Sequence, residues 1–351
     1  MQSADQHKRR ILITGVAGFV GFHLARRLLH DYGDRVEIIG IDNLNDFFPE
    51  LKSGRLHELG VDSVEAGEVV SGRFPGFVFR KMDIADNTAM DSLFATGDFD
   101  IVVHLAARAS ARYSAVNPRE YLESNIGGFL NVLEGCRNNG VRHLLFASSS
   151  SVYGMNDKVP YSEGSDASHP VSFYAATKRS NELMAHSYAS MYGLHVTALR
   201  FFSVYGPWCR PDMAPYLFID AILHGRPIKV YNHGDMYRDF TYIDDVIEGI
   251  IRVIETSVIV DDKKEASMLP FRIFNIGNSV PVRLSDFIAE IERATGRQAA
   301  MELMPMQCGD VYMTCSDCSA LRDAVGYAPS TSLASGMART VEWFKEYYKI
   351  D

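Results

Sequence analysis

Short apolar runs alternate with amphipathic stretches along the first half of the chain. Arg10–Thr14 is one such run; it enters a glycine turn and then Phe19–His30, where apolar residues recur at helical spacing. Val36–Ile41, Phe77–Met82, Ile101–Leu105, Leu144–Ala147 and Val196–Leu199 are further runs, separated mostly by helical patterns. Continuous rather than alternating apolar strands belong to a sheet covered on both faces. A βαβα order gives parallel crossovers. The expectation is an α/β fold with a doubly wound, mostly parallel sheet. Leu51–Arg73 is polar and glycine-punctuated and reads as an insertion between the second and third strands.

The pattern changes near Gly206, where Pro207, Pro211 and Pro215 cluster before a helix at Tyr216–His224. Phe240–Ile254 reads as a helix returning to the first domain, and Ala334–Tyr348 as the last helix. The expected division is residues 9–205, with 240–262 returning to them, and a smaller C-terminal α/β lobe of 206–239 and 263–351. A length of 351 residues suits two such bodies.

Composition narrows the classes. Apolar residues make up 47% and charged ones 23%, which suits a globular chain. A formal charge of -9 opposes nucleic-acid binding, so an anionic ligand must be held by a local site. Five cysteines are an odd number, and Cys136 and Cys209 are isolated, which argues against a disulfide framework and for a reducing compartment. Cys315 and Cys318 form a C-x-x-C without a second pair at zinc spacing, and no metal site is expected. No run approaches the length of a membrane span, and Met1–Arg10 is polar rather than signal-like. The expected location is the cytoplasm.

Between the first strand and its helix, Gly15-Val16-Ala17-Gly18-Phe19-Val20-Gly21 sets three glycines at spacing three. Glycine allows the tight turn and close approach of backbone to a pyrophosphate, and free amides at a helix start favour an anion. Asp42, at the end of the second strand, can accept hydrogen bonds from an adenosine ribose and would repel a 2′-phosphate, which favours NAD over NADP. Asp83 and Ile84 follow the third strand and could border an adenine, though an exposed loop Asp reads equally well.

Tyr174-Ala175-Ala176-Thr177-Lys178 puts a phenol and an ammonium at i and i+4 on one helical face. A free phenol ionises near pH 10, about three units too high for a neutral-pH base, and a neighbouring cation stabilises the phenolate. Upstream, Ser148 to Ser151 precede Val152-Tyr153-Gly154 at the carboxyl end of an apolar strand, the edge where ligands bind in such sheets. A serine there can relay a proton; a helix-capping loop is the other reading. No G-x-S-x-G elbow supports a serine hydrolase.

With these elements in order the chain resembles the extended short-chain dehydrogenase/reductase family, in particular its uronate-acting 4-epimerases. Further shared strings are Asp42–Asp46, Leu51–Leu56, His104–Ala107, Phe201–Trp208, Arg210–Ala214 and Arg238–Asp245, so the likeness covers nearly the whole chain. It implies a Rossmann-type sheet with NAD contacts from Gly15, Gly18, Phe19, Val20, Gly21, Asp42, Asn43, Asp83, Ile84, Leu105, Ala106, Ala107, Tyr174, Lys178 and Phe202. It also implies a catalytic set of Ser149, Tyr174 and Lys178. In the implied mechanism Tyr174 takes the proton of the sugar 4-hydroxyl while bound NAD+ takes hydride from carbon 4. The 4-keto sugar nucleotide then turns over and regains the hydride on its other face, regenerating NAD+ within each turnover.

Ser150 and Ser151 stand where relatives that decarboxylate or dehydrate carry acidic residues. A carboxylate would repel the C5 carboxylate of a uronate, whereas hydroxyls and amides can hold it. The implied reaction is interconversion of UDP-glucuronate and UDP-galacturonate; 4-epimerisation of neutral UDP-hexoses and decarboxylation of UDP-glucuronate are the neighbouring alternatives. A catalytically silent NAD-binding scaffold is a different class of reading.

Ser149, Ser150, Ser151, Tyr174, Ser203, Arg210 and Arg112 are the implied sugar contacts, and Lys229, Val230, Tyr231, Arg238 and Asp310 the implied UDP contacts. Relatives often have Thr at Ser203, Gly at Cys209 and Pro at Cys308, and the loop Ala109-Ser110-Ala111-Arg112 departs from their pattern. A homodimer through two long helices of the first domain is also implied.

Overall fold

The computed structural model describes residues 8–65, 67–156, 158–257, 269–306 and 310–350. The chain divides into two compact units. The first holds the described residues of Met1–Val152, Ser172–Leu199 and Ile250–Ile273; the second holds those of Tyr153–Val171, Arg200–Gly249 and Phe274–Asp351.

In chain order the first unit begins with β1 (Arg9–Thr14), α1 (Phe19–Tyr32), β2 (Val36–Asp42), α2 (Pro49–Glu58), β3 (Glu68–Val70), β4 (Phe77–Lys81), α3 (Asn87–Gly97) and β5 (Ile101–His104). It continues through α4 (Ala111–Val116), α5 (Pro118–Tyr121), a π-helical turn (Leu122–Gly128), α6 (Phe129–Asn138), β6 (His143–Ser149), α7 (Phe173–Tyr192) and β7 (Val196–Phe201). Next come β8 (Ser203–Tyr205), α8 (Ala214–Leu223), β9 (Ile228–Val230), β10 (Tyr237–Tyr242), α9 (Ile243–Ser257) and β11 (Phe271–Ile276). The chain closes with β12 (Pro281–Arg283), α10 (Leu284–Thr295), β13 (Met301–Leu303), α11 (Ser319–Val325) and α12 (Leu333–Tyr348).

The central sheet runs β11-β7-β6-β5-β1-β2-β4-β3. β1 pairs in parallel with both β2 and β5, and β2–β4 and β5–β6 are also parallel; the short edge strand β3 is antiparallel to β4. The order therefore reverses direction at β1, between β2 and β5, which is the switch point of a doubly wound Rossmann-type sheet. Leu12, Ile39, Val102, Leu144 and Phe146 on the strands pack with Leu93 and Phe94 of α3 and Phe129 and Leu133 of α6 in one buried cluster. A β-carbon on Gly135 would stand 2.2 Å from the Phe94 ring, so glycine lets α6 lie close to α3.

The stretch read as an insertion between the second and third strands, Leu51–Arg73, carries most of α2 and all of β3. α2 starts with Pro49 in its first turn, where proline's missing N–H costs nothing, and Glu68–Val70 finds open backbone on β4. The helix read over Phe240–Ile254 begins at Ile243. Phe240-Thr241-Tyr242 is strand because its residues pair with Ser203–Tyr205 of β8, and aromatic and β-branched residues favour that surface. Residues 240–249 lie in the second unit and 250–257 in the first.

An aromatic core organises the second unit. Phe240 and Phe287 stack at 3.9 Å between ring centroids, and Tyr205 meets both edge-on. Phe287 is fully buried. Phe287→Ala should lower unfolding free energy by about 3–5 kcal/mol, measured as a reduced midpoint at unchanged slope in chemical denaturation.

Candidate active site

The glycine turn explains its own composition. Gly15 has φ +74, and a β-carbon there would stand 2.7 Å from the Ala106 amide nitrogen. On Gly18 and Gly21 it would stand 2.9 and 2.3 Å from the Gly15 carbonyl oxygen. Gly15 and Val16 donate backbone bonds to the Ile41 carbonyl (2.7 and 3.2 Å), closing the turn over the end of β2. Gly18 caps α1, no side chain bonds to the first amides, and no acid occupies the first turn. Phe19 and Val20 open the helix, so this end suits a diphosphate.

Thr14, the last residue of β1, ties the neighbouring loop to this turn. Its Oγ1 accepts from the Leu105 and Ala106 amides at 3.2 Å each and lies 2.8 Å from His104 Nδ1. Burial, with the nearby Lys178 charge, lowers the His104 pKa to about 3, so the ring is neutral and accepts from the threonine hydroxyl. Leu105 and Ala106 thus lie beside Gly15, with Ala107 next in the chain.

Asp42 is buried at the end of β2 and accepts from the Leu44 amide (3.0 Å), with Lys52 Nζ 4.0 Å away. Burial raises its pKa, opposed first by Lys52. Lys52 donates to the Asn45 carbonyl and side chain (2.8 and 2.7 Å), and Arg55 donates to the Ala17 carbonyl (2.8 Å). α2 therefore braces both the glycine turn and the carboxylate. Asn43 donates to Asp83 (2.9 Å), and Ile84 is buried against Gly128, so the loops after β2 and β4 meet.

α7 carries Tyr174 and Lys178, and several bonds fix its start. Ser172 caps it by accepting from Ala175 N–H (3.1 Å), and the Tyr174 amide donates to Ser114 Oγ of α4 (3.1 Å). The Tyr121 ring meets the Tyr174 ring edge-on at 6.3 Å. Lys178 is buried and donates to the Ala147 carbonyl of β6 (2.8 Å). Desolvation lowers its pKa to about 8, opposed by the charge of Glu182. At the end of β6, Ser149 Oγ accepts from the Ser151 amide (3.2 Å) and from Ser151 Oγ (2.8 Å), leaving its own proton for another acceptor. Ser150 begins the short 3-10 turn that follows. Arg112 lies exposed in the first turn of α4.

The π-helical turn supplies a residue that sequence reasoning missed. Asn125, 1% exposed, exchanges bonds with the Arg108 backbone (2.8 and 3.0 Å), donates to Thr177 Oγ1 (3.0 Å), and its carbonyl accepts from Asn181 (2.6 Å). It fastens the loop after β5 to α7. A polar residue inside an apolar helical pattern was its only signal. Arg108 itself pairs with Glu120 (2.8 Å) and lies over the Phe47 ring.

In the second unit, Ser203 opens β8, and the Phe202 ring is buried among those of Tyr153 and Tyr161. Gly206 has φ +147 and Ile243 Cγ2 would lie 2.5 Å from its β-carbon. The left-handed residue of this loop is Trp208 (φ +64), and Cys209 sits buried without a left-handed backbone. Cys308 lies outside the described residues. Arg210 binds Asp212 with two bonds of 3.0 Å. Lys229 is exposed and Val230 buried on β9, which pairs in parallel with β13, and Tyr231 follows. Arg238 and Asp310 come together in an ion pair of 2.6 Å, and Arg238 also donates to the Tyr237 and Tyr312 carbonyls (2.9 and 3.2 Å). Burial pulls the Arg238 pKa down and Asp310 opposes it.

A glycine cradle at the switch point, a buried carboxylate after β2 and a Tyr/Lys pair beside a serine row define a dinucleotide-dependent enzyme acting on an alcohol. The chain matches, over residues 11–277, the NAD dependent epimerase/dehydratase family, and it belongs to that family. Its cofactor is NAD. A probable UDP-glucuronate 4-epimerase of Rhizobium meliloti is 41% identical over 348 residues, covering 97% of this chain and 98% of the relative. Among solved structures, the UDP-glucuronic acid 4-epimerase of Bacillus cereus, in complex with UDP-glucuronic acid and NAD, superposes with a TM-score of 0.83 at 31% identity, covering 97% and 100% of the two chains. A UDP-glucose 4-epimerase of Thermotoga maritima with UDP-glucose gives 0.81 at 28% identity, covering 97% and 99%.

Burial of Lys178 has a pH signature. With its pKa depressed to about 8, the penalty for burying its charge is full below that pH and vanishes as pH rises through the unfolded value near 10.5. Lys178→Met should therefore stabilise cofactor-free protein at pH 7 by on the order of 1–3 kcal/mol, with the gain shrinking above pH 8. Thermal unfolding of both proteins across pH checks this.

Proposed function

We propose that the protein is an NAD-dependent 4-epimerase interconverting UDP-glucuronate and UDP-galacturonate. The observation that carries this reading is the hydroxyl row at the end of β6: Ser151 donates to Ser149, no carboxylate stands at 150 or 151, and Lys178 is anchored on the adjoining Ala147 carbonyl. Ser149 directs its free proton to the reacting oxygen. Ser150 and Ser151 hold the C5 carboxylate by charge-assisted hydrogen bonds, which restrains a β-keto acid from losing CO2. Ser203, Arg210 and Arg112 add contacts to the uronate. Arg238 and Asp310 serve the diphosphate and ribose, with Lys229–Tyr231 along the base.

NAD, when bound, would supply a reversible hydride acceptor for carbon 4 of the sugar. Gly15, Gly18, Phe19, Val20 and Gly21 hold its diphosphate, and Asp42 its adenosine ribose, with Asn43, Asp83, Ile84, Leu105–Ala107 and Phe202 around it. Tyr174 takes and returns the proton of the 4-hydroxyl. Lys178 stabilises the phenolate and holds the nicotinamide ribose. A neutral UDP-hexose 4-epimerase is the second reading, favoured by the likeness to the Thermotoga enzyme.

Incubation with UDP-glucuronate, followed by NMR, should yield UDP-galacturonate. A UDP-pentose product would indicate decarboxylation, and turnover of UDP-glucose insensitive to Arg210→Ala would favour the neutral-hexose reading. Tyr174→Phe should cut turnover at least about 100-fold while NAD stays bound; unchanged turnover excludes it as the base.

The same reading includes a homodimer in the cytoplasm. Leu130 on α6 and Leu183 and Met191 on α7 expose 42%, 55% and 61% of their surface, an apolar face suited to a second copy. Among the described residues Cys136, Cys209, Cys315 and Cys318 form no disulfide, and no helix is long and apolar enough to cross a membrane. Leu183→Glu should convert a dimer to monomer in sedimentation velocity; a monomeric parent protein would refute the assignment.

A further inference from the structure

Buried one turn beyond Lys178 is a group the mechanism above does not use. Glu182 has a fully buried side chain. Its Oε1 accepts from Ser148 Oγ at 2.6 Å, and its Oε2 accepts from Arg179 Nη1 at 2.8 Å. Ser148 lies between Ala147, whose carbonyl receives the Lys178 ammonium, and Ser149. One carboxylate therefore ties the end of β6 to the helix that carries Tyr174 and Lys178.

We propose that Glu182 is a positioning residue for proton transfer, fastening Ser148 to α7 so that Ser149 keeps register with Tyr174, and giving the Lys178 ammonium its buried counter-charge.

Three considerations carry this. An ionised carboxylate removed from water is costly unless it is bonded and paired, and a serine alone would be held as well by a neutral amide. Lys178 is also desolvated, and its hydrogen bond to Ala147 is to a neutral carbonyl, so the nearby Glu182 anion favours its cationic form. Arg179, at 30% side-chain exposure, binds the oxygen that Ser148 does not use and weakens the field of Glu182 without cancelling it. The titratable groups that interact with Lys178 are Glu182 on its own helix and His104 on β5, the latter neutral with a pKa lowered to about 3; Arg179, next in the chain, pairs with Glu182, and Tyr174 lies one helical turn earlier. The end of β6 that Lys178 meets, Ala147–Ser149, carries no ionisable side chain. Glu182 is thus the anion that sets the charge balance of the pair.

The proposal rests on Tyr174 and Lys178 being the proton-transfer pair and not on the identity of the sugar. Two readouts separate the questions. In NAD-loaded protein with 13C-labelled lysine, the Lys178 signal, assigned by its loss in Lys178→Met, gives a titration midpoint without any substrate. Glu182→Gln keeps an acceptor for Ser148 but removes the charge, and should lower that midpoint by roughly half to one pH unit. Arg179→Met, at a half-exposed position that threatens folding less, should raise it. Where turnover is measured, the whole pH–rate bell should follow: to lower pH in Glu182→Gln, to higher pH in Arg179→Met. In Ser148→Ala the bell should stay in place while kcat drops several-fold. Midpoints unmoved in both charge variants would overturn the proposal and leave Glu182 a structural tie. If Glu182→Gln does not fold, Arg179→Met decides alone. Failure of wild type to turn over UDP-glucuronate would bear on the substrate and leave the NMR result standing.

Discussion

Burial of one ammonium group constrains much of the first unit. Lys178 is buried and holds its charge only because a carbonyl of β6 and a carboxylate of its own helix compensate for lost water. That requirement brings α7 against the carboxyl end of β6. The serine row then lies at the start of the chain segment following Ala147, and the neutral His104 of β5 is the neighbour a buried cation tolerates.

The other fixed point is the reversal of strand order at β1. Parallel strands on both sides leave a crevice at their carboxyl ends. There, close approach rather than flexibility selects glycine, since β-carbons at Gly18 and Gly21 would collide with the Gly15 carbonyl. Thr14 links the two fixed points. Its hydroxyl gathers the Leu105 and Ala106 amides and the His104 ring, so the cofactor turn and the surroundings of Lys178 share one hydrogen-bonded hub.

Departures from the family pattern are absorbed locally in the second unit. Cys209 needs no left-handed backbone because Trp208 takes that conformation, held in a ring cluster with Trp343 and Tyr347. Ser203 presents its hydroxyl at the first residue of β8. Arg238 and Asp310, distant in sequence, neutralise each other in an ion pair.

Read alone, the chain's spacing, backbone sterics and hydrophobic period already specify the parallel sheet, the glycine turn, Asp42 and the i, i+4 pairing of Tyr174 with Lys178. It also carried the serine row Ser148–Ser151. Only the tertiary structure decided what surrounds those residues. Phe240–Tyr242 became strand through pairing with β8, the polar insertion became α2 and β3 by bracing the turn and finding an open edge, and Asn125 and Glu182 acquired meaning from partners remote in sequence. Local pattern specifies which groups are available. Desolvation and the demand that every buried polar group find a partner, which are properties of the packed chain, determine which of them act together.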